Sequence, residues 1–264
     1  MKIKLDCERE CKSIIDWMTM YKDATKCKGV VLGISGGKDS TVVAMLSKLV
    51  FGDNVVGVIM PNGAQKDIDD AIQVCKTLNI KYKIVNIENA FKRLIASIEY
   101  PEDSNFNDVE FVYDGISDKA KTNIPPRLRM TTLYAIAQTL GYRVIGTGNR
   151  SERAIGWFTK YGDGGCDFNP IALLTCTEVV QLGLYLCKQF NLNESLITKS
   201  PADGLTGKSD EDNFGFTYEQ LDTWLKNDGD CGDEAVSDKI MKLYKQSEHK
   251  RMQPILYTQS WFLD

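Results

Sequence analysis

The chain has 264 residues, 43% of them hydrophobic, and a formal net charge of -4. That length supports one sizeable core, and the acidic balance argues against a nucleic-acid binder, which carries a basic face. Gly and Pro are at ordinary levels, which excludes collagen-like and low-complexity readings.

The segment Met1 to Lys12 is rich in charges and lacks the apolar stretch of a signal peptide. No run approaches the roughly 18 apolar residues of a bilayer span, so no membrane association is expected and the protein reads as cytoplasmic. Eight cysteines without a C-x-x-C pair, and a single histidine, argue against a Cys/His zinc site. The cysteines read as reduced, several of them as small core hydrophobes.

Cys11, Ile14, Ile15, Met18 and Tyr21 recur at helical spacing. Gly29 to Ile34 is a Val-rich run of the kind found in strands buried on both faces. A Gly-rich turn, Ser35 to Ser40, leads into a helix through Leu49. Val55 to Met60 reads as a second strand, Ile68 to Leu78 as a helix, Tyr82 to Ile87 as a third strand, and Ala90 to Ile98 as a helix. From Glu99 to Asp118 there are seven acidic residues and no basic one, the mark of a solvated loop. Pro125 and Pro126 suit the first turn of the helix that follows, and Tyr142 to Gly146 reads as a fourth strand.

Beyond residue 150 a Gly/Asp-rich loop spans Tyr161 to Asp167, and Val179 to Phe190 is helical. Lys199 to Gly215 is polar and reads as a mobile loop, followed by helices at Leu221–Lys226 and Val236–Tyr244. Strands alternating with helices predict an α/β fold: a doubly wound, mostly parallel sheet with a helical C-terminal part, residues 1–264 forming one domain. Ligands in such folds bind beyond the carboxyl ends of the strands, where Ser35–Ser40 and Thr147–Glu152 both fall.

Gly33-Ile34-Ser35-Gly36-Gly37-Lys38-Asp39-Ser40 joins a strand to a helix. Glycines let backbone approach an anion, and the helix start offers free N–H groups. Asp39 would repel a bare phosphate, so it suggests a bridging magnesium. A Walker A loop needs Ser or Thr after the lysine, and Asp39 stands there instead. The same residues also match G-x-S-x-G, a nucleophile elbow with Ser35 as nucleophile and His249 downstream as base. That serine hydrolase reading leaves Asp39 and Ser40 without a role. A non-enzymatic nucleotide-binding module is a third reading, and it needs neither Asp39 nor Glu152.

The motif resembles the S-G-G-x-D-S loop of the N-type ATP pyrophosphatases, a group that includes several amidating and tRNA-modifying enzymes. Further along, Gly146-Thr147-Gly148-Asn149-Arg150-Ser151-Glu152 and Phe158 to Asp167 resemble the NAD synthetases. So do Asn123 to Met130, Lys208 to Asp212, and Glu248-His249-Lys250-Arg251, in the same order. The resemblance implies an adenine nucleotide alpha-hydrolase-like fold and ATP-dependent amidation of deamido-NAD by ammonia through an acyl-adenylate. It implies that Gly33, Ile34, Ser35, Gly36, Gly37, Lys38, Asp39 and Ser40 bind ATP, together with Thr147 and Ser200. Asp39 and Glu152 would ligate Mg2+. Arg127, Lys160, Asp167, His249 and Lys250 would hold deamido-NAD, the last two from the partner in a homodimer. Asp39, Lys160 and Asp163 are the candidate catalytic residues, with Asp163 and Asp167 as candidates to take a proton from ammonium. With the Gly loop about 30 residues from the start, no glutaminase domain is expected. One departure stands out: many relatives have Lys where this chain has Cys176, and Lys38 or Lys208 would have to supply that charge.

Overall fold

The computed structural model describes residues 4–64, 68–99, 115–199 and 209–254. Four strands form one fully parallel sheet: β1 (Val30–Gly33), β2 (Val55–Ile59), β3 (Lys81–Ile84) and β4 (Arg143–Val144), ordered β3-β2-β1-β4. An isolated parallel bridge, Ile145 to Phe168, extends the β4 side and ties the Gly/Asp-rich loop to the sheet. The chain leaves β1 toward β2 on one side and returns to β4 on the other. The switch point therefore lies beside the end of β1, where a ligand crevice opens in such sheets.

Alternating strand residues feed two cores. Val30, Leu32, Val55 and Ile59 face one side, covered by α1 (Cys7–Thr25), α2 (Lys38–Phe51), α3 (Ile68–Thr77) and α7 (Cys176–Phe190). Val31, Val58 and Val144 face the other, covered by α5 (Asp118–Leu140). Met18, Met45, Leu46, Leu182 and Leu186 are fully buried, each contributing on the order of 1.5–3 kcal/mol. A third core, with Phe214, Phe216, Leu221, Trp224 and Ile240, joins α6 (Arg150–Ile155), α9 (Asp210–Phe214), α10 (Tyr218–Lys226) and α11 (Glu234–Gln246). The remaining helices are α4 (Glu88–Glu99), α8 (Ser195–Thr198) and α12 (Glu248–Arg251). β3 is an edge strand with all four residues exposed, and α4 buries none of its residues.

Three expectations are corrected. Pro125 and Pro126 lie inside α5, not in its first turn, because Ser117 caps the helix earlier by accepting from the Ala120 N–H at 3.3 Å. The helix continues through them without the two N–H donors that proline lacks. The third strand ends at Ile84, short of Ile87. The segment Lys199 to Gly215 is not loop throughout: Ser209 caps α9 in a reciprocal capping box with Asp212. Ser200, Lys208 and most of the acidic stretch from Glu99 to Asp118 lie outside the described residues. All eight cysteines are free. Among the described residues no helix is long and apolar enough to cross a membrane.

Candidate active site

The Gly-rich loop folds back on itself. Gly36 adopts φ 81°, a left-handed conformation that favours glycine. The Ser35 and Ser40 hydroxyls lie 3.1 Å apart, the Gly37 N–H donates to Ser35 Oγ at 3.2 Å, and Ser40 Oγ donates to the Gly37 carbonyl at 3.1 Å. No side chain caps α2 at Gly37. Its first N–H groups point out of the helix start without a side-chain acceptor, which is how a helix N-terminus receives an anion.

Asp39 and Glu152 meet across the switch point through Asn149. The fully buried Asn149 donates Nδ2 to Asp39 Oδ1 at 3.0 Å and accepts from the Glu152 N–H at 3.0 Å. Glu152 Oε2 in turn accepts the Asn149 N–H at 3.2 Å, closing a capping box at α6. Loss of solvent raises the Glu152 pKa, the Asp39 charge raises it further, and Lys38 opposes both. Lys38 Nζ donates to Asp39 Oδ2 at 2.8 Å.

Two hard carboxylates beside a phosphate-ready helix start fit magnesium, which keeps several waters and takes phosphate oxygens instead of filling its shell from protein. No group of three or more His, Cys, Asp or Glu that could hold a metal occurs among the described residues.

A bed of buried hydrogen bonds supports the pair. Ser151 Oγ donates to Asp222 Oδ1, the Cys176 N–H donates to Ser151 Oγ at 2.9 Å, and the Thr177 N–H donates to Asp222 Oδ2 at 2.8 Å. Asp222 on α10 thus fixes the starts of α6 and α7 together. Burial pushes the Cys176 thiol well up, so it supplies no charge.

Behind Glu152 is a small pocket lined by Gly148, Glu152, Phe158, Asp163, Cys166 and Asn169, with room for about one water-sized molecule. Gly146 permits it: a Cβ there would meet Cys166 Sγ at 2.5 Å. Asp163 accepts the Thr159 N–H at 2.9 Å. Loss of solvent raises its pKa despite the opposing pull of two backbone N–H groups, Lys250 and Arg129. Asp167 lies elsewhere: its Oδ2 accepts the Val144 N–H at 2.7 Å, and Tyr134 OH reaches Oδ1 at 3.5 Å. The two candidate proton acceptors are therefore separated, and Asp163 is the one that lines the pocket.

Lys160 Nζ donates to the carbonyls of His249 and Met252. Lys250 Nζ donates to the carbonyls of Gly156 and Phe158 at 2.7 and 2.8 Å. The C-terminal His249-Lys250 pair thus packs on the Lys160 loop of its own chain. Arg127 lines a separate open cleft with Ile98, Ile116, Ser117 and Ile124. Thr147 is half-buried between β4 and α6. His249 Nδ1 faces the Gln246 carbonyl at 3.1 Å, while Ser35 is bonded within its own loop. No serine–histidine dyad forms, and the hydrolase reading fails.

Sequence reasoning missed Asn149, Asp222 and Arg129. Asn149 was signalled by its Asn-x-x-Glu spacing directly after a strand. Arg129 donates Nε to the Met60 carbonyl at 3.0 Å and acts electrostatically on Asp163. Nothing local marks Asp222.

Comparison with known proteins agrees with this geometry. The profile of the NAD synthase family matches residues 10–254. An NH(3)-dependent NAD(+) synthetase of Finegoldia magna is 40% identical over 243 residues, covering 91% of this chain and 92% of its own. A solved structure described as NMN synthetase from Francisella tularensis superposes with a TM-score of 0.83 at 30% identity, over 97% of this chain and 100% of that one. An NH3-dependent NAD synthetase from Campylobacter jejuni, in complex with nitrate, gives a TM-score of 0.76 at 26% identity, over 97% and 100%. With the strand-end loop, the joined carboxylates and a match along nearly its whole length, the chain belongs to the NAD synthase family.

Proposed function

We propose that the protein is a ligase that converts deamido-NAD to NAD, with ammonia as nitrogen donor and ATP cleaved to AMP and pyrophosphate. The observation that carries this reading is the Asp39–Asn149–Glu152 constellation beside the uncapped start of α2, in a chain of this family. In the first step the nicotinate carboxylate attacks the α-phosphate of ATP. The α–β phosphate bond breaks, leaving an acyl-adenylate and pyrophosphate. In the second, ammonia attacks the activated carbonyl, a C–N bond forms and AMP leaves.

The loop from Gly33 to Ser40, with Thr147 and Ser200, binds ATP, its N–H groups aimed at the phosphates. Magnesium, held by Asp39 and Glu152, would neutralise charge developing on the departing pyrophosphate. Arg127, Lys160, Asp167, His249 and Lys250 hold the deamido-NAD, where cationic side chains suit a pyrophosphate or carboxylate. Asp163 takes a proton from ammonium at its Oδ2, its Oδ1 being held by the Thr159 N–H. The pocket beside it has room for a molecule of that size. Most of the protein's contribution is positioning and charge.

We also read the protein as a cytoplasmic homodimer in which residues 1–264 form one domain. The exposed Leu94 and Ile98 of α4, apolar and four positions apart on one helix face, support a second copy.

The test incubates the purified protein with magnesium, ATP, deamido-NAD and ammonium, and follows products by mass spectrometry. Equal amounts of NAD, AMP and pyrophosphate are expected. A parallel reaction offers the mononucleotide acceptor that the NMN synthetase likeness suggests. AMP formed with that acceptor alone would move the reading to NMN synthesis, and no AMP from either would sink it.

A further inference from the structure

Among the described residues Lys38 is the one lysine or arginine that is buried, at 6% exposure. An ammonium taken out of water is costly unless it is paired. Lys38 has two partners. Its Nζ donates to Asp39 Oδ2 at 2.8 Å, and it lies over the ring of Tyr218 at 5.5 Å from the centroid. Glu152 adds a second carboxylate near enough to act on it electrostatically.

The other oxygen of Asp39, Oδ1, is already occupied by Asn149 Nδ2. Each oxygen of Asp39 thus carries one donor, and a divalent cation at this carboxylate repels the ammonium on Oδ2 but not the neutral amide on Oδ1. We propose that Lys38 is an internal counter-ion, bonded to Asp39 Oδ2 until magnesium displaces it, whose freed ammonium then turns to the phosphates of the nucleotide. This rests on the magnesium reading of Asp39 and Glu152 given above.

Charge arithmetic supports a double duty. Without metal, Lys38 offsets the charge of Asp39. With a divalent ion bound and both carboxylates ionised the site carries +1, where an apolar residue at 38 would leave zero. A net positive site is what a departing pyrophosphate requires. The lysine stem is flexible, and its three donors adapt to a new acceptor close by. Lys38 is also the first residue of α2, next to the free N–H groups, so a short swing suffices.

The experiment separates this role from simple structural support. Magnesium alone, without nucleotide, is titrated calorimetrically into the full chain and into Lys38→Met and Lys38→Gln. Removing the competitor strengthens magnesium binding, on the order of tenfold, while binding of magnesium-ATP weakens by a similar factor. A purely structural lysine would weaken both. Magnesium affinity that is unchanged or reduced in a folded variant overturns the proposal. Should neither variant fold, the wild-type chain answers by itself: acetylation of Lys38, read by mass spectrometry, rises when magnesium alone is added. Unchanged reactivity overturns the proposal equally. NAD formation by the wild type is scored apart from these titrations, so a different acceptor would leave the Lys38 result standing.

Discussion

Around Asp39 side chains hold one another; around Lys160 and Lys250 they hold the backbone. On the nucleotide side, the side chains of Lys38, Asp39 and Asn149 bond to one another, and Asn149 and Glu152 each accept the other's backbone N–H. On the acceptor side, Lys160 and Lys250 spend their donors on the carbonyls of His249, Met252, Gly156 and Phe158. The first arrangement poises charge for an incoming ligand. The second braces the loop proposed to hold deamido-NAD, so there folding and binding would be one property.

The largest expected effect tests the first half of that contrast. Asp39→Asn, which removes the charge but keeps a side-chain oxygen for Lys38, should lower AMP and pyrophosphate formation by about 10²–10³-fold while leaving the melting temperature nearly unchanged. A comparable loss of stability would erase the distinction between the two regions.

Asp163→Asn should lower NAD formation by roughly 10²-fold without altering magnesium-ATP binding, followed by calorimetry. Because loss of solvent raises the Asp163 pKa, its base form appears at higher pH than for an ordinary carboxylate. Wild-type activity should therefore rise with pH as Asp163 ionises, and the variant should lose that limb. A variant with the wild-type profile would remove Asp163 from proton transfer.

Lys250→Met should do what Asp39→Asn does not. Two part-buried carbonyls lose their donor, costing about 1–2 kcal/mol and a few degrees of melting temperature, with KM for deamido-NAD rising at the same time. A rise in KM with no change in melting would make Lys250 a ligand and not a brace.

The smallest effect lies outside both regions. Burial raises the Glu178 pKa, but hydrogen bonds from Lys226 and from Thr175 outweigh it and hold the carboxyl below its ordinary value. A carboxylate lowered in the folded state contributes stability that is present above its unfolded pKa and fades as pH falls through the folded one. Glu178→Gln should therefore cost about 0.5–1 kcal/mol at neutral pH, and the gap in urea midpoint should close in acid.

The sheet was legible because Val30–Leu32 and Val55–Ile59 are apolar at every position but glycine, as strands covered on both faces must be. The phosphate loop was legible because a strand, glycines and a helix start occur in sequence. The start of α5 was misread because a proline pair is a stronger local signal than Ser117, although one capping hydroxyl suffices. The Glu152–Asp163 pocket was half legible: both acids stood out, but the distinction between Asp163 and Asp167 depends on how the loop pairs with β4. Asp222 was invisible, since its partner Ser151 is 71 positions away and neither residue is unusual in its own segment. Lys38 was seen as a phosphate ligand, and its bond to Asp39 is a matter of side-chain direction that spacing does not reveal.

The exposed strand β3 has one further consequence. Its sequence, Lys81-Tyr82-Lys83-Ile84, puts two ammonium groups along the open margin of the sheet. An uncovered strand edge offers unpaired backbone groups to any other chain, and lysine on such an edge repels a second copy of itself. Those two lysines disfavour edge-to-edge pairing with a second copy, and they place that safeguard at residues outside the candidate site.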